Sequence, residues 1–148
     1  MRITTLVDDI MTRKPATVAP EDSLERVRRI FENQGFHHVP VVEGDKLVGI
    51  VSYTDYLRII SEMCNGNTPE GLYKTGLRNI LVQEVMTKTV VYLRSSDTVE
   101  DAILMFKEHA FHALPIIEDD HRLVGILSTH DLMKVLEKVL APGIDYAG

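Results

Sequence analysis

Cysteine, positive charge and long apolar runs are all scarce in this chain of 148 residues. The one cysteine, Cys64, has no partner for an internal disulfide, which points to a reducing compartment and a cytoplasmic protein. Sixteen Lys and Arg stand against 22 Asp and Glu, a net charge of −6, so the basic face that nucleic-acid binding needs is not expected. No run approaches the roughly 20 apolar residues that cross a bilayer, and Asp8-Asp9 breaks the short apolar start where a signal peptide would continue. The expectation is a soluble chain with no nucleic-acid and no membrane partner.

Catalytic signatures are lacking too. There is no Cys-x-x-Cys and no Gly-x-Gly-x-x-Gly. Gly71 and Gly76 are spaced as in a phosphate loop, but Leu77-Arg78 stands where Lys-Ser/Thr is required. Ser128, His130 and Asp131 are near neighbours in the chain, whereas a working triad joins distant side chains in one geometry. His37-His38, and His109 with His112, have no cysteine near them in a ligand spacing. They read as satisfied or solvent-facing histidines, with no metal. Nothing argues for an enzyme, and no cofactor is required.

What the chain does have is the same text twice. Val7 to Leu57 recurs as Val82 to Leu132. Met11-Thr12 returns as Met86-Thr87, Asp22 as Asp97, Phe31 as Phe106, Phe36-His37 as Phe111-His112 and Pro40 as Pro115. Gly44 is replaced by Asp119-Asp120, and after this one-residue insertion Leu47-Val48-Gly49-Ile50 matches Leu123-Val124-Gly125-Ile126, Ser52 matches Ser128, and Asp55 matches Asp131. A repeat of this kind is one supersecondary unit that needs its neighbour to complete a core. A chain this long buries roughly 70% of its unfolded surface, enough for two half-domains sharing one core. The boundaries expected are 1–64 for the first repeat, 65–81 for a linker, 82–141 for the second repeat and 142–148 for a tail. Met1 and the weak tail from Ala141 fit a complete small protein.

Each copy reads strand, helix, strand, strand, helix. The short first strands are expected near Ala16-Thr17-Val18 and Val90-Val91-Tyr92-Leu93. Asp22 and Asp97 look like helix N-caps, with Glu25 and Glu100 three residues on. Leu24, Val27, Ile30 and Phe31 follow at helical spacing, mirrored by Val99, Ala102, Met105 and Phe106, and Gly35 ends the first of these helices. Val39-Pro40-Val41-Val42 and Leu47 to Val51 are apolar runs suited to buried strands, with Pro40 at a strand start or on an edge. A second helix carries Tyr56, Ile59, Ile60 and Met63 on one face, and its counterpart Leu132, Val135, Leu136, Val139 and Leu140. Cys64 to Leu81 either holds a short helix or lengthens the one before it.

The polar matches are what packing alone leaves unexplained. Ser52-Tyr53-Thr54-Asp55 and Ser128-Thr129-His130-Asp131 stand where a strand hands over to a helix, with backbone N–H groups and the helix dipole available to an anion. A hydroxyl and a carboxylate three apart there suit a sugar and a phosphate, each charge-assisted bond contributing roughly 1.5–3 kcal/mol. The same residues also serve simply as helix caps. Both readings stand on the residues alone.

At this point the two copies resemble a pair of CBS motifs, the tandem regulatory (Bateman) module. The resemblance rests on Val-x-x-Ile/Val-Met-Thr, Asp-Ser/Thr-Leu/Val, Phe-His-x-x-Pro and Leu-Val-Gly-Ile-x-Ser-x-x-Asp, in order and twice, over nearly the whole chain. It implies an α/β (α+β) fold of two pseudo-symmetric βαββα repeats packed through their small sheets. It implies a regulatory module that binds AMP, ADP, ATP or S-adenosylmethionine in clefts between the repeats, or alternatively a scaffold for dimerisation that binds none of them. By position, Asp55 and Asp131 match the ribose-binding acid. Ser52, Thr54, Ser128 and His130 match ribose- or phosphate-contacting positions. His37 and His112, before Pro40 and Pro115, match a place for a basic group near phosphate, and the backbone at Thr17-Val18 and Tyr92-Leu93 borders the adenine. His130 departs from the usual hydroxyl and Tyr92 from a smaller residue, so the first repeat's site is the better preserved. Partners implied are an adenosine-type molecule, a second copy in a homodimer, and an enzyme or transporter under regulation. The helical faces with Phe31, Ile59, Phe106 and Val135 are expected to be left for the second copy.

Overall fold

The computed structural model describes residues 5–64 and 76–140. Each copy contributes a short helix, a two-residue strand, a helix, two longer strands and a closing helix, with the two-residue strands at unmatched positions. The first runs α1 (Val7–Ile10), β1 (Thr12–Arg13), α2 (Leu24–Gln34), β2 (His38–Glu43), β3 (Lys46–Ser52) and α3 (Tyr53–Cys64). The second runs α4 (Val82–Val85), β4 (Leu93–Arg94), α5 (Val99–Glu108), β5 (Ala113–Glu118), β6 (Arg122–Ser128) and α6 (Thr129–Leu140). This is the mixed α/β arrangement of two repeats that the sequence led us to expect. The linker question falls largely outside the described residues: α3 reaches Cys64, and 76–78 are helical.

The described residues form two compact units, one of 15–64, 76–90 and 120–123, the other of 5–14, 91–119 and 124–140. The leading segment of each copy therefore packs with the other copy. In the first unit, Val82 N donates to Asp22 O (2.8 Å), Gln83 N to Pro20 O (2.9 Å) and Leu24 N to Ile80 O (2.8 Å). In the second, Val7 N donates to Asp97 O (2.8 Å), Asp8 N to Ser95 O (3.1 Å) and Val99 N to Thr5 O (2.9 Å). The Met-Thr pairs cross over in the same way. Thr12 and Arg13 pair with Ile126 and Gly125, and Thr87 bridges Ile50. The repeated glycines are explained by this crossing. A Cβ on Gly49 would come within 2.5 Å of Met86 Sδ and 3.0 Å of the Thr87 carbonyl oxygen. On Gly125 it would come within 2.6 Å of Met11 Sδ and 2.9 Å of the Thr12 carbonyl oxygen. Only glycine allows backbone to lie so close.

In the first unit, β2 and β3 form a hairpin closed by Gly44, whose φ of 64° is the left-handed conformation glycine adopts freely. β2 stands at the end of the sheet order, so Pro40, which lacks an N–H, faces no full strand on its outer side. There its carbonyl accepts Val18 N, and Val42 N donates to Val18 O. In the second copy, the inserted residue moves the connection into the 3₁₀ turn Asp119–His121, with Asp120 and His121 at positive φ. Each unit has its own core: Leu24, Val27, Phe31, Val39, Val41, Val51, Tyr56, Leu77 and Val82 in one, Val7, Met11, Ala102, Leu114, Ile116 and Leu127 in the other.

Several expectations are corrected. The strand expected at 16–18 is reduced to a single bridge, and the one expected at 90–93 begins only at Leu93. Val18 makes a single parallel bridge to Val41, and β4 starts at Leu93 opposite Ile116. Asp22 and Asp97 do not cap the helices; Ser23 and Thr98 occupy those positions. Each Asp carboxylate instead accepts an amide three residues back, Ala19 N at 2.7 Å and Arg94 N at 2.8 Å. The caps are unequal. Thr98 Oγ1 accepts Asp101 N, while the Ser23 side chain makes no cap bond and Arg26 N donates to the Ser23 carbonyl instead. Gly35 ends α2 in the left-handed conformation, as expected. Phe31 is only 6% exposed, because the rings of Tyr53 and Tyr56 cover it at 5.3 and 5.4 Å. It leaves no face for a partner. Exposed apolar residues are found instead at Leu57, Ile103, Leu104, Met133, Leu136 and Leu140.

Candidate functional site

Each unit carries its own strand-to-helix junction, and in both the serine hydroxyl caps the helix. Ser52 Oγ accepts Asp55 N at 3.1 Å, and Ser128 Oγ accepts Asp131 N at 3.2 Å. The first amide of each helix is also engaged: Tyr53 N donates to His37 O (2.7 Å) and Thr129 N to His112 O (3.0 Å). Two of the amides that could have faced an anion are thus already bonded. The cap reading of the serines holds in both copies.

The two acids part company here. Asp131 is 8% exposed and turned inward. Its Oδ2 accepts Ser128 N at 2.9 Å and Ser128 Oγ at 3.1 Å, completing a reciprocal capping box, and Oδ1 faces Thr12 Oγ1 at 3.5 Å. Thr12 belongs to the leading segment of the first copy, so the second copy's acid ties that segment to α6. Asp55 makes no such return bond. It turns along α3, where its Oδ1 accepts Arg58 Nη2 at 3.0 Å, with the Asp55 side chain 22% and Arg58 66% exposed. Exposed helical pairs of this kind are worth only about 0.3–0.5 kcal/mol, so another hydrogen-bonding group can displace one.

Around Asp55 the first unit brings together several of the expected residues. His37 is exposed, with its imidazole stacked on Tyr53 at 5.5 Å and 29°, and Thr54 is exposed beside the acid. Val18 and Pro40 are buried, and the Val18 amide and carbonyl are both bonded to β2. Thr17 is half-buried. In the second unit His112 and His130 are exposed, Tyr92 is half-buried, and Leu93 and Pro115 are buried. His109, not His112, stacks on Phe111 (5.4 Å, 23°). Among the described residues no group of three His, Cys, Asp or Glu side chains is placed to hold a metal ion. No described helix is long and apolar enough to cross a membrane.

Three residues beside the junctions were missed from sequence. Tyr53 was signalled only as an aromatic next to a cap. Arg58 was signalled by its place three residues beyond Asp55 on the same helix face. Thr12 had no local signal, since its partner lies 119 positions away.

Two βαββα repeats, each ending in a strand, a capping serine and an acid, define a tandem module of a recognisable class. The model of the CBS domain matches twice, at residues 7–62 and 82–138, and the chain belongs to the CBS domain family as a tandem pair. Protein MJ1426 of Methanocaldococcus jannaschii, uncharacterized, is 30% identical over 153 residues, covering 88% of this chain and 90% of its own length. The homoserine O-acetyltransferase of Methanohalobium evestigatum is 29% identical over 90% of this chain, but only 24% of that enzyme is covered. The chain spans less than half the length of several curated relatives that it matches, 46% of uncharacterized MJ1225 from M. jannaschii and about a quarter of the enzymes. The match to such enzymes is thus confined to their CBS part. Among solved structures, CBSX2 in complex with AMP superposes with a TM-score of 0.77 at 25% identity, covering 92% of this chain and 98% of that one. CBSX2 is a protein of Arabidopsis thaliana. The protein AcuB of Vibrio cholerae shares the fold with a TM-score of 0.80 at 24% identity, covering 94% and 96%.

Proposed function

We propose that this chain is a regulatory module that senses an adenosine-type ligand: AMP, ADP, ATP or a related adenosyl compound such as S-adenosylmethionine. The observation that carries the proposal is the state of Asp55. Its carboxylate stands partly exposed at a strand-to-helix junction, held by one exposed arginine and preceded by a serine that fixes the helix start. A carboxylate so placed can accept both hydroxyls of a ribose diol once the arginine gives way. CBSX2, which shares the fold at 25% identity, binds AMP, and that supports the choice of ligand class. Asp131, enclosed by Ser128 and Thr12, is the poorer ribose acceptor, so the first copy holds the principal site.

No catalytic step is assigned to the chain. The ligand acts by binding one conformation or assembly state better than another, and the shift cannot exceed that difference in affinity. A second copy of the chain is the assembly partner we propose, because Leu57 on α3, Ile103 and Leu104 on α5 and Met133, Leu136 and Leu140 on α6 are left exposed. The regulated partner is an enzyme or a transporter. Titration calorimetry with AMP, ADP, ATP and S-adenosylmethionine tests the ligand reading. Dissociation constants well below about 1 mM, or −4 kcal/mol, are expected for at least one. If all four bind more weakly, the chain is a scaffold and the sensing role fails.

A further inference from the structure

We propose that Arg58 sets the charge preference of the first site, holding Asp55 in the free protein and passing to the phosphate of a bound nucleotide. The inference deepens the reading of Asp55 as the ribose acid and rests on it. Arg58 and Asp55 lie three apart on α3 and therefore on one face, with the guanidinium 3.0 Å from Oδ1. A ribose diol needs that oxygen, so the arginine competes with the sugar for it. Release is easy, since the Arg58 side chain is 66% exposed and solvent hydrates the freed guanidinium. Once displaced, it remains a long, flexible cation beside a sugar whose 5′ carbon carries the phosphate. An uncharged nucleoside gains nothing from it, whereas a nucleotide recovers a charge-assisted, forked contact.

The second unit lacks this device. Lys134 stands at the matching position, but the Asp131 carboxylate is turned to Ser128 and Thr12. Competition and recovery are thus confined to the first site.

The test compares AMP and adenosine on the full chain, wild type against Arg58→Ala, by titration calorimetry at two or more KCl concentrations. Removing the competitor should tighten adenosine about twofold. Removing the cation should weaken AMP about tenfold and flatten the salt dependence of its binding. Arg58→Lys keeps the charge without the fork and should fall between the two. An AMP affinity unchanged in Arg58→Ala would overturn the proposal. So would a loss that keeps the wild-type salt dependence, or one that adenosine shares in the same proportion. Wild-type protein that binds no adenine nucleotide would instead defeat the ribose-site reading itself, an outcome distinct from wild-type AMP binding that Arg58→Ala leaves intact.

Discussion

Truncating the two matched aspartates should produce opposite phenotypes, and the structure gives the sizes. Asp131→Ala removes an acceptor 8% exposed that serves Ser128 N, Ser128 Oγ and Thr12 Oγ1. Loss of a helix cap costs about 1 kcal/mol. Leaving part-buried donors without a partner adds about 1–2 kcal/mol, for a total near 2–3 kcal/mol. In a chain of this length each kcal/mol lowers the melting temperature by about 2–4 °C, so a fall of roughly 5–10 °C is expected. Asp55→Ala removes a single exposed pair with Arg58 and leaves Ser52 Oγ on the helix amide. Its cost is about 0.3–0.5 kcal/mol, or about 1 °C. Ligand binding should follow the reverse order, with AMP affinity lost in Asp55→Ala and largely kept in Asp131→Ala. Urea midpoints and titration calorimetry on the two variants measure both effects. Equal destabilisation by the two substitutions would refute the contrast drawn between a tethering and a receiving carboxylate. AMP binding lost only in Asp131→Ala would refute it equally.

Three further outcomes follow from the geometry. Gly125→Ala forces a methyl against Met11 Sδ and the Thr12 carbonyl, and should cost about 1–3 kcal/mol; a urea midpoint matching wild type would contradict the close approach. Glu25 is 5% exposed, and its pKa is held below the ordinary 4.5 chiefly by the hydrogen bonds from Arg28 (2.6 and 2.8 Å), against the opposing effect of burial. A carboxyl depressed in the folded state stabilises above its unfolded pKa and loses that contribution as the pH falls through its folded one, so the stability gap between wild type and Glu25→Gln should narrow below about pH 4.5; a gap constant with pH would exclude the pair as its source. Sedimentation at micromolar concentration should show a dimer that Met133→Glu with Leu136→Glu dissociates, and a wild-type monomer would remove the assembly role given to those side chains.

The parts legible in the sequence were those fixed by local chemistry. Periodicity located α2, α3, α5 and α6, Gly35 marked a helix end, and the apolar runs around Pro40 and Gly49 became β2 and β3. The first strands were misplaced because Val18 and Leu93 pair through single, distant partners, Val41 and Ile116. Neighbouring apolar residues gave no sign of where pairing would begin. Asp22 and Asp97 looked like caps, yet the carbonyls of Ile80 and Thr5 already take the amides of Leu24 and Val99. The crossing of Met11 to Gly125 and Met86 to Gly49 could not be read at all. Both copies carry the same Met and the same Gly, so the pattern is satisfied equally well within a copy or across the two. For the junctions, residue types and spacing were enough to find Ser52, Asp55, Ser128 and Asp131. Their different surroundings depended on Arg58 and Thr12, and only the fold brings Thr12 to its acid.

The crossing also bears on how such a chain could arise. A lone copy cut at the repeat boundary would hold a methionine with no glycine of its own beneath it. Two identical single copies, each lending its leading segment to the other, would restore both contacts. Fusing that pair end to end requires no new packing, only a connection. The duplicated chain thus has the form of a segment-swapped homodimer made permanent. Its halves have since been free to diverge, as the surroundings of Asp55 and Asp131 have done.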